Sequence, residues 1–274
     1  MTNPTFQNSK TAFVVIAWNS GTYIKKCVES VLSLECRALD LFVVDNGSTD
    51  ETPRILDEIA KEDTRLHVIT EPKNLGTTIS RNEALRKIAP ETDYVCILDS
   101  DTVVNQVAFE RMAEVLSDER IGVVGPTMMN SAGEEQLSGR VLPTLGLKLK
   151  KAVPFGKVSE RAHATEKHVT PIQNGLQDVG YLLSACWLMR KSTLDEVGLL
   201  DEKIFYAPED VDWCLRCHKA GYRVVLCHDA HIIHEYQRLS RKKLLSKSNF
   251  EHIKGLVHYF RKHSYFFRPP SIDK

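Results

Sequence analysis

TAFVVIAW (Thr11–Trp18), LDLFVVDN (Leu39–Asn46), RLHVIT (Arg65–Thr70) and YVCILDS (Tyr94–Ser100) are the four stretches that decide the fold. Each is short, nearly continuous in apolar character and rich in β-branched residues, as strands buried on both faces are. Between them lie stretches with apolar residues at helical spacing, Tyr23–Leu34, Glu51–Lys61 and Thr77–Ile88. Strand alternating with helix builds βαβ units on a parallel sheet, so the expected fold is α/β, with a Rossmann-like, mostly parallel sheet between layers of helices. Several strands end in polar side chains: Asn19, Asp45 with Asn46, and Asp99 with Asp101. Ligands of open α/β sheets bind beyond the carboxyl ends of the strands, and these residues therefore mark the candidate site.

Composition narrows the rest. With 274 residues and 42% hydrophobic side chains the chain supports one large α/β domain with a small appendage. Its 36 basic and 36 acidic residues cancel, which gives no global charge for nucleic acid. Seven cysteines, mostly inside apolar stretches, read as buried thiols of a reducing compartment. The N-terminus has no signal-peptide pattern, and no apolar run approaches the ~20 residues that cross a bilayer. The expected location is cytoplasmic.

After IGVVGPTMM (Ile121–Met129) the periodicity stops, and a Gly-, Pro- and Lys-rich excursion runs from about Asn130 to Gly175. VGYLLSACWLMRK (Val179–Lys191) then reads as a strand, APEDVDWCLRCHKAGY (Ala207–Tyr222) as a helix opened by Pro208 and closed at Gly221, and YRVVLCH (Tyr222–His228) as another strand. Residues 11–129 form the first half of the expected domain and 130–240 the second. A basic, aromatic helical extension follows over 241–274, with Leu244, Leu245, Phe250, Ile253, Leu256, Val257 and Phe260 at mostly helical spacing. Such a stripe faces its own core, a second subunit in a homodimer, or an anionic membrane surface.

The sharpest chemical feature is LDSD (Leu98–Asp101). Two carboxylates at i and i+2 on a strand end point to one face and repel one another unless a cation sits between them. Mg2+ or Mn2+ takes oxygen ligands and is completed by substrate phosphates, so the pair points to diphosphate chemistry, although a lone D-x-D is also a common solvated turn. Asp45 by itself is a loop acid; as a neighbour of Asp99 across the strand ends it suits the imide N–H of a uracil or thymine ring. Arg81, one turn into a helix that follows Gly76, is placed for diphosphate oxygens aided by the helix dipole, or else is a solvated surface arginine.

VVIAWNSGTYI, VVDNGSTD, NLGTTISRN, LDSDTVV and APEDVDWCLRCHKAGYRV stand in an order that resembles family 2 glycosyltransferases of the GT-A fold, in the rhamnosyltransferase-like branch, over about residues 11–240. The resemblance implies an inverting, metal-dependent transfer of sugar from a UDP- or dTDP-sugar to a saccharide or lipid-linked acceptor in bacterial surface polysaccharide synthesis. It places the Ala17 backbone and Asn19 in the nucleoside pocket, Asp45 on the base, Asp99 at the ribose with Ser100 beside it, and Arg81 on the diphosphate. It makes Asp101 a ligand of Mn2+ or Mg2+ together with a late histidine, here His234 with His231 as the competing register, before a loop holding Arg238 and Ser240. Glu209 and Asp210 face the acceptor, with Asp210 as the base; their place in a helix's first turn also suits its dipole without any catalysis.

Two other readings compete. A nucleotidyltransferase would need a glycine-rich loop after the first strand, where only Gly21 stands. A zinc-binding interaction module would use Cys214, Cys217, Cys227, His228, His231 and His234, but Cys214 and Cys217 lie in one amphipathic helical stretch where a structural zinc would need a turn. His163 and His168 fall in the excursion, where they either touch an acceptor or, more simply, are solvated.

Overall fold

In the first half of the chain, strand and helix limits follow the apolar pattern to within a few residues, whereas the strand expected over Tyr222–His228 runs on to His234. The computed structural model describes residues 4–152, 170–235 and 247–269. β1 (Lys10–Ala17), α1 (Ile24–Leu32), β2 (Ala38–Asp45), α2 (Thr52–Glu62), β3 (Leu66–Thr70), α3 (Thr77–Leu85) and β4 (Tyr94–Asp99) form the βαβ half. There follow β5 (Thr102–Val103), α4 (Gln106–Val115), β6 (Ile121–Met129), β7 (Glu135–Gln136), β8 (Gly139–Arg140) and α5 (Leu145–Ala152). The chain continues through β9 (Leu176–Asp178), β10 (Tyr181–Leu182), β11 (Cys186–Arg190), α6 (Lys191–Val197), α7 (Glu209–Lys219), β12 (Arg223–His234) and α8 (Lys247–His263).

The main sheet runs β3-β2-β1-β4-β11-β6-β12-β5, and its first four strands are parallel, as expected. β11 enters antiparallel between β4 and β6. The register sets Ala17 opposite Asp45 and Ile16 opposite Asp99, so the two acids flank the end of β1 rather than adjoin each other. Two strand spacings, about 10 Å, separate their backbones.

Side chains alternate across β1. Phe13, Val15 and Ala17 enter one core layer with Ile24, Leu56 and Phe109; Ala12 and Val14 enter the other with Trp187 and Trp213. The two indoles pack with centroids 5.4 Å apart. Six cysteines are buried, Cys36 is half-buried, and all seven are free thiols, in line with the expectation.

Three departures from the sequence reading matter for the site. The single strand expected over Val179–Lys191 is broken: β10 pairs with β8 in a small separate sheet, β11 joins the main one, and Leu183–Ala185 bridge them. The excursion after Met129 is ordered over β7, β8 and α5, while 153–169, including His163 and His168, lie outside the described residues. α3 is preceded by Gly76 at its N-cap, whose φ is 89° and where a Cβ would stand 2.3 Å from the Phe205 carbonyl oxygen. Thr77 N–H donates to that oxygen at 2.7 Å, so protein backbone occupies this helix end.

α8 docks on its own domain through an ion-pair cluster. His258 and Lys262 reach Asp201 at 2.9 and 2.7 Å, and Lys262 and His263 reach Asp212 at 2.8 Å each. Asp212 also takes the expected i+4 contact from Arg216 at 3.0 Å. Gly255 lies so near the start of α7 that a Cβ there would be 2.2 Å from the Ala207 carbonyl oxygen.

Candidate active site

β4, the turn that follows it and β12 carry Asp99, Asp101 and His234 to one place, where an oxygen or nitrogen of each lies within 4.8 Å of the others. Among the described residues this is the cluster of His, Cys, Asp and Glu able to hold a metal ion; Cys214 and Cys217 are buried in α7 without such company. β12 pairs His234 with Thr102 of β5, which brings the imidazole Nε2 to 3.3 Å from Asp101 Oδ1. His231 points outward instead, so of the two histidines it is His234 that lies with the acids.

Gln136 fixes the imidazole. Its Nε2 donates to the His234 carbonyl at 2.7 Å, which turns its Oε1 toward His234 Nδ1 at 2.8 Å. Nδ1 therefore carries a proton, and Nε2 is left facing Asp101, the orientation a metal-binding histidine needs. Burial alone would lower the His234 pKa, but the Asp101 hydrogen bond and the Asp101 and Asp99 charges raise it overall. Two hard carboxylates and an oriented imidazole fit Mn2+ or Mg2+ with open positions for phosphate.

Arg81 is not the solvated arginine that sequence alone permits. Its side chain is 1% exposed, and Nη2 donates to Asp99 Oδ1 at 2.5 Å and to the Ser184 carbonyl at 3.1 Å. Nη1 donates to Ser184 Oγ at 2.9 Å and lies 3.5 Å from Glu209 Oε1, to which Ser184 Oγ donates at 2.8 Å. One guanidinium thus joins the strand-end acids to the first turn of α7. Its Nε is buried and has no hydrogen-bond partner among the described residues.

Burial pushes the Asp99 carboxyl up; Arg81 opposes that shift and Asp101 adds to it. Burial and then the Asp210 charge push Glu209 up to about 8, against Arg81 and Ser184. Asp210 is half-buried, and burial raises it too, while its backbone bond to Val211 and the charges of Arg140 and Lys148 pull it down. The excursion therefore borders the acid pair with basic side chains.

At the other edge, Asp45 is buried and accepts Ser48 N–H at 3.0 Å. Asn19, held at φ 51°, accepts Thr49 N–H at 2.8 Å and its own N–H donates to Ser48 Oγ at 2.9 Å. The Ala17 carbonyl accepts from Asn46 N–H at 2.8 Å. The Ser100 and Ser20 hydroxyls meet at 2.7 Å, which ties the turn after β4 to the loop after β1. Arg238 and Ser240 lie outside the described residues. Ser184 and Gln136, which tie the site together, carry no signal in the sequence; Trp18, 51% exposed beside Asn19, was legible only as the end of an apolar run.

The fold and this acid–imidazole cluster at the strand ends define a GT-A glycosyltransferase. Residues 12–198 match the family described as Glycosyl transferase family 2, and the chain belongs to that family. It is 24% identical over 267 residues to N-acetylglucosaminyl-diphospho-decaprenol L-rhamnosyltransferase of Mycobacterium tuberculosis, covering 94% of this chain and 86% of the relative. It is 28% identical over 111 residues to Glycosyltransferase GlyG of Streptococcus pneumoniae, which covers 40% of this chain and 36% of that one. Among solved structures, GalNAc-T7 with UDP, GalNAc and Mn2+ superposes with a TM-score of 0.69 at 15% identity, over 93% of this chain and 48% of that one. The mannosyltransferase PcManGT of Pyrobaculum calidifontis with GDP-Man and Mn2+ gives 0.63 at 18% identity, over 96% and 66%. No helix among the described residues is long and apolar enough to cross a membrane.

Proposed function

We propose that this glycosyltransferase moves a sugar from a UDP- or dTDP-sugar, with inversion, to a hydroxyl of a saccharide or lipid-linked glycan, and that it needs Mn2+ or Mg2+. The reaction would take place in the cytoplasm, in bacterial surface polysaccharide synthesis. The observation that carries the reading is the Asp99–Asp101–His234 cluster joined through Arg81 to Glu209, the neighbour of Asp210 in the first turn of α7.

Asp101 and His234 would hold the metal, which when bound neutralises charge on the departing diphosphate. Asn19, Asp45 and the Ala17 backbone line the nucleoside end, with Asp99 and Ser100 toward the ribose. Asp210 accepts the proton of the acceptor hydroxyl as its oxygen attacks the anomeric carbon, and the nucleoside diphosphate leaves from the opposite face. Of the two adjacent acids Asp210 is the base: Glu209 is 6% exposed, bonded to Ser184, and protonated near neutrality because burial raises it to about 8. Glu209 and Arg81 then position Asp99 and Asp210. The rhamnosyl donor is favoured by the mycobacterial relative, which spans most of this chain.

The test is a thermal melt with UDP, dTDP, GDP and CDP, each with and without Mn2+, because a ligand stabilises the fold by mass action. UDP or dTDP should raise the melt only with metal. A panel without any shift would sink the donor-site reading, and a product that retains the donor's anomeric configuration would sink inversion.

A further inference from the structure

Half of the large apolar side chains exposed among the described residues fall in one segment: Phe250, Ile253, Val257, Phe266 and Phe267. Phe250, Ile253 and Val257 stand at i, i+3 and i+7 of α8, roughly opposite Gly255 at 100° per residue. Gly255 marks the face laid against Ala207 and Pro208, so the stripe points away from the enzyme body. Ile253 is 61% exposed, Phe250 68% and Phe267 75%.

The stripe is held rigidly. Tyr259 and Phe260 are buried beneath it, Tyr259 and Tyr265 meet edge to face, and the Phe266 carbonyl accepts Leu145 N–H at 2.7 Å. Its borders are basic. Between Lys247 and Arg268 stand five Lys or Arg and one acid, Glu251, whose side chain is only 17% exposed while that of Lys254 is 65% exposed. Lys254 and Arg261 flank the apolar stripe on one side of the helix, and Arg268 follows Phe267. An apolar strip edged with cations, on a helix too polar to cross a bilayer, suits the interface of an anionic membrane.

We propose that the outward face of α8, with Phe266 and Phe267, docks the protein on an anionic lipid surface. This gives the lipid-linked acceptor reading its geometry and rests on it for its purpose: the opposite face of the same helix touches the residues that lead into Glu209 and Asp210. Docking would hold those acids at a fixed height over the bilayer.

Vesicle flotation of the full chain tests this apart from catalysis, using neutral phosphatidylcholine and the same lipid with phosphatidylglycerol. The protein should float with the anionic vesicles only, and I253D/F267D should abolish flotation. K254E/R261E should weaken partitioning by roughly 25-fold or more, at about fivefold for each cation near the surface. Transfer to a soluble acceptor should stay unchanged in both variants, so failure of the catalytic reading would be seen separately. Flotation with neither vesicle, or with both equally, overturns the proposal. So does a dimer in sedimentation that I253D/F267D splits without any lipid recruitment.

Discussion

Replacing Arg81 with Met keeps most of the side-chain volume and removes the cation between Asp99 and Glu209. The guanidinium is 1% exposed, 2.5 Å from Asp99 and 3.5 Å from Glu209. Breaking a fully buried pair on one side costs about 3–5 kcal/mol, but Asp99 is 37% exposed and partly screened by solvent, so roughly 1–3 kcal/mol is expected here. At roughly 2–4 °C per kcal/mol for a domain near this size, the melt should fall by about 2–12 °C. The loss should also depend on pH with a fixed sign. Glu209 has a folded pKa of about 8 against an ordinary 4.5, so the native state binds the extra proton and stability falls as pH rises between those values. Without Arg81 the folded pKa moves higher still and the decline continues past pH 8. The gap between wild type and Arg81→Met should therefore be wider at pH 9 than at pH 6, and Glu209→Gln in the Arg81→Met background should narrow it. Calorimetry at the two pH values measures this. A melt lowered by less than about 2 °C, with equal gaps at both, would show that Arg81 is not a buried cation shared by two acids.

Asp210→Asn should reduce kcat by about 10²- to 10⁴-fold while leaving the metal-dependent nucleotide shift intact, and Asp101→Ala should lose that shift; equal loss of binding in both would overturn the division of roles. Gly255→Ala puts a methyl 2.2 Å from the Ala207 carbonyl oxygen. It should cost about 1–3 kcal/mol by overpacking, and lower kcat with little change in donor KM, as steady-state kinetics would show. Burial alone would raise the carboxyls of Asp201 and Asp212, but Lys262 and His258 hold the first, and His263, Lys262 and Arg216 the second, below their ordinary 3.8. Depressed folded values mean that this stability is present above the ordinary value and is lost as pH falls below it toward the folded ones. Protection factors of α8 amides, corrected for the intrinsic pH dependence of exchange, should fall ahead of those in the βαβ half as pH drops from about 4 toward 2.

The parallel half of the fold was legible because its signals are local. Each strand is apolar on both faces, each helix is amphipathic, and the motif acids sit where strands end. What escaped depends on partners distant in the chain. The antiparallel entry of β11 was hidden because an apolar run carries no direction. Arg81 reads in sequence as a polar residue of a helix; its burial is made by Asp99, 18 positions away, and Ser184, 103 away. Gln136, which orients His234, is 98 positions from it and sits in a stretch with no periodicity. The C-terminal stripe is visible in the sequence, but only the fold divides it into the buried Phe260, the half-buried Leu256 and the exposed Phe250, Ile253 and Val257, while Leu244 and Leu245 lie outside the described residues.

The choice between His231 and His234 shows how a single irregularity defeats a period-2 reading. Residues three apart on a regular strand point to opposite faces, so parity should have selected one histidine once the buried face was known. In β12, however, Val224 to Cys227 are all buried, because both faces of the strand are covered there, and parity cannot be set from them. The pairing with β6 then slips between Cys227 and His231, and alternation begins only afterward, with Ala230, Ile232 and His234 inward and His231 and Ile233 outward. A bulge of this kind re-aims the side chains that follow it, and such bulges gather beside active sites. Here it turns the last residue of the strand, rather than the histidine three positions earlier, toward Asp101.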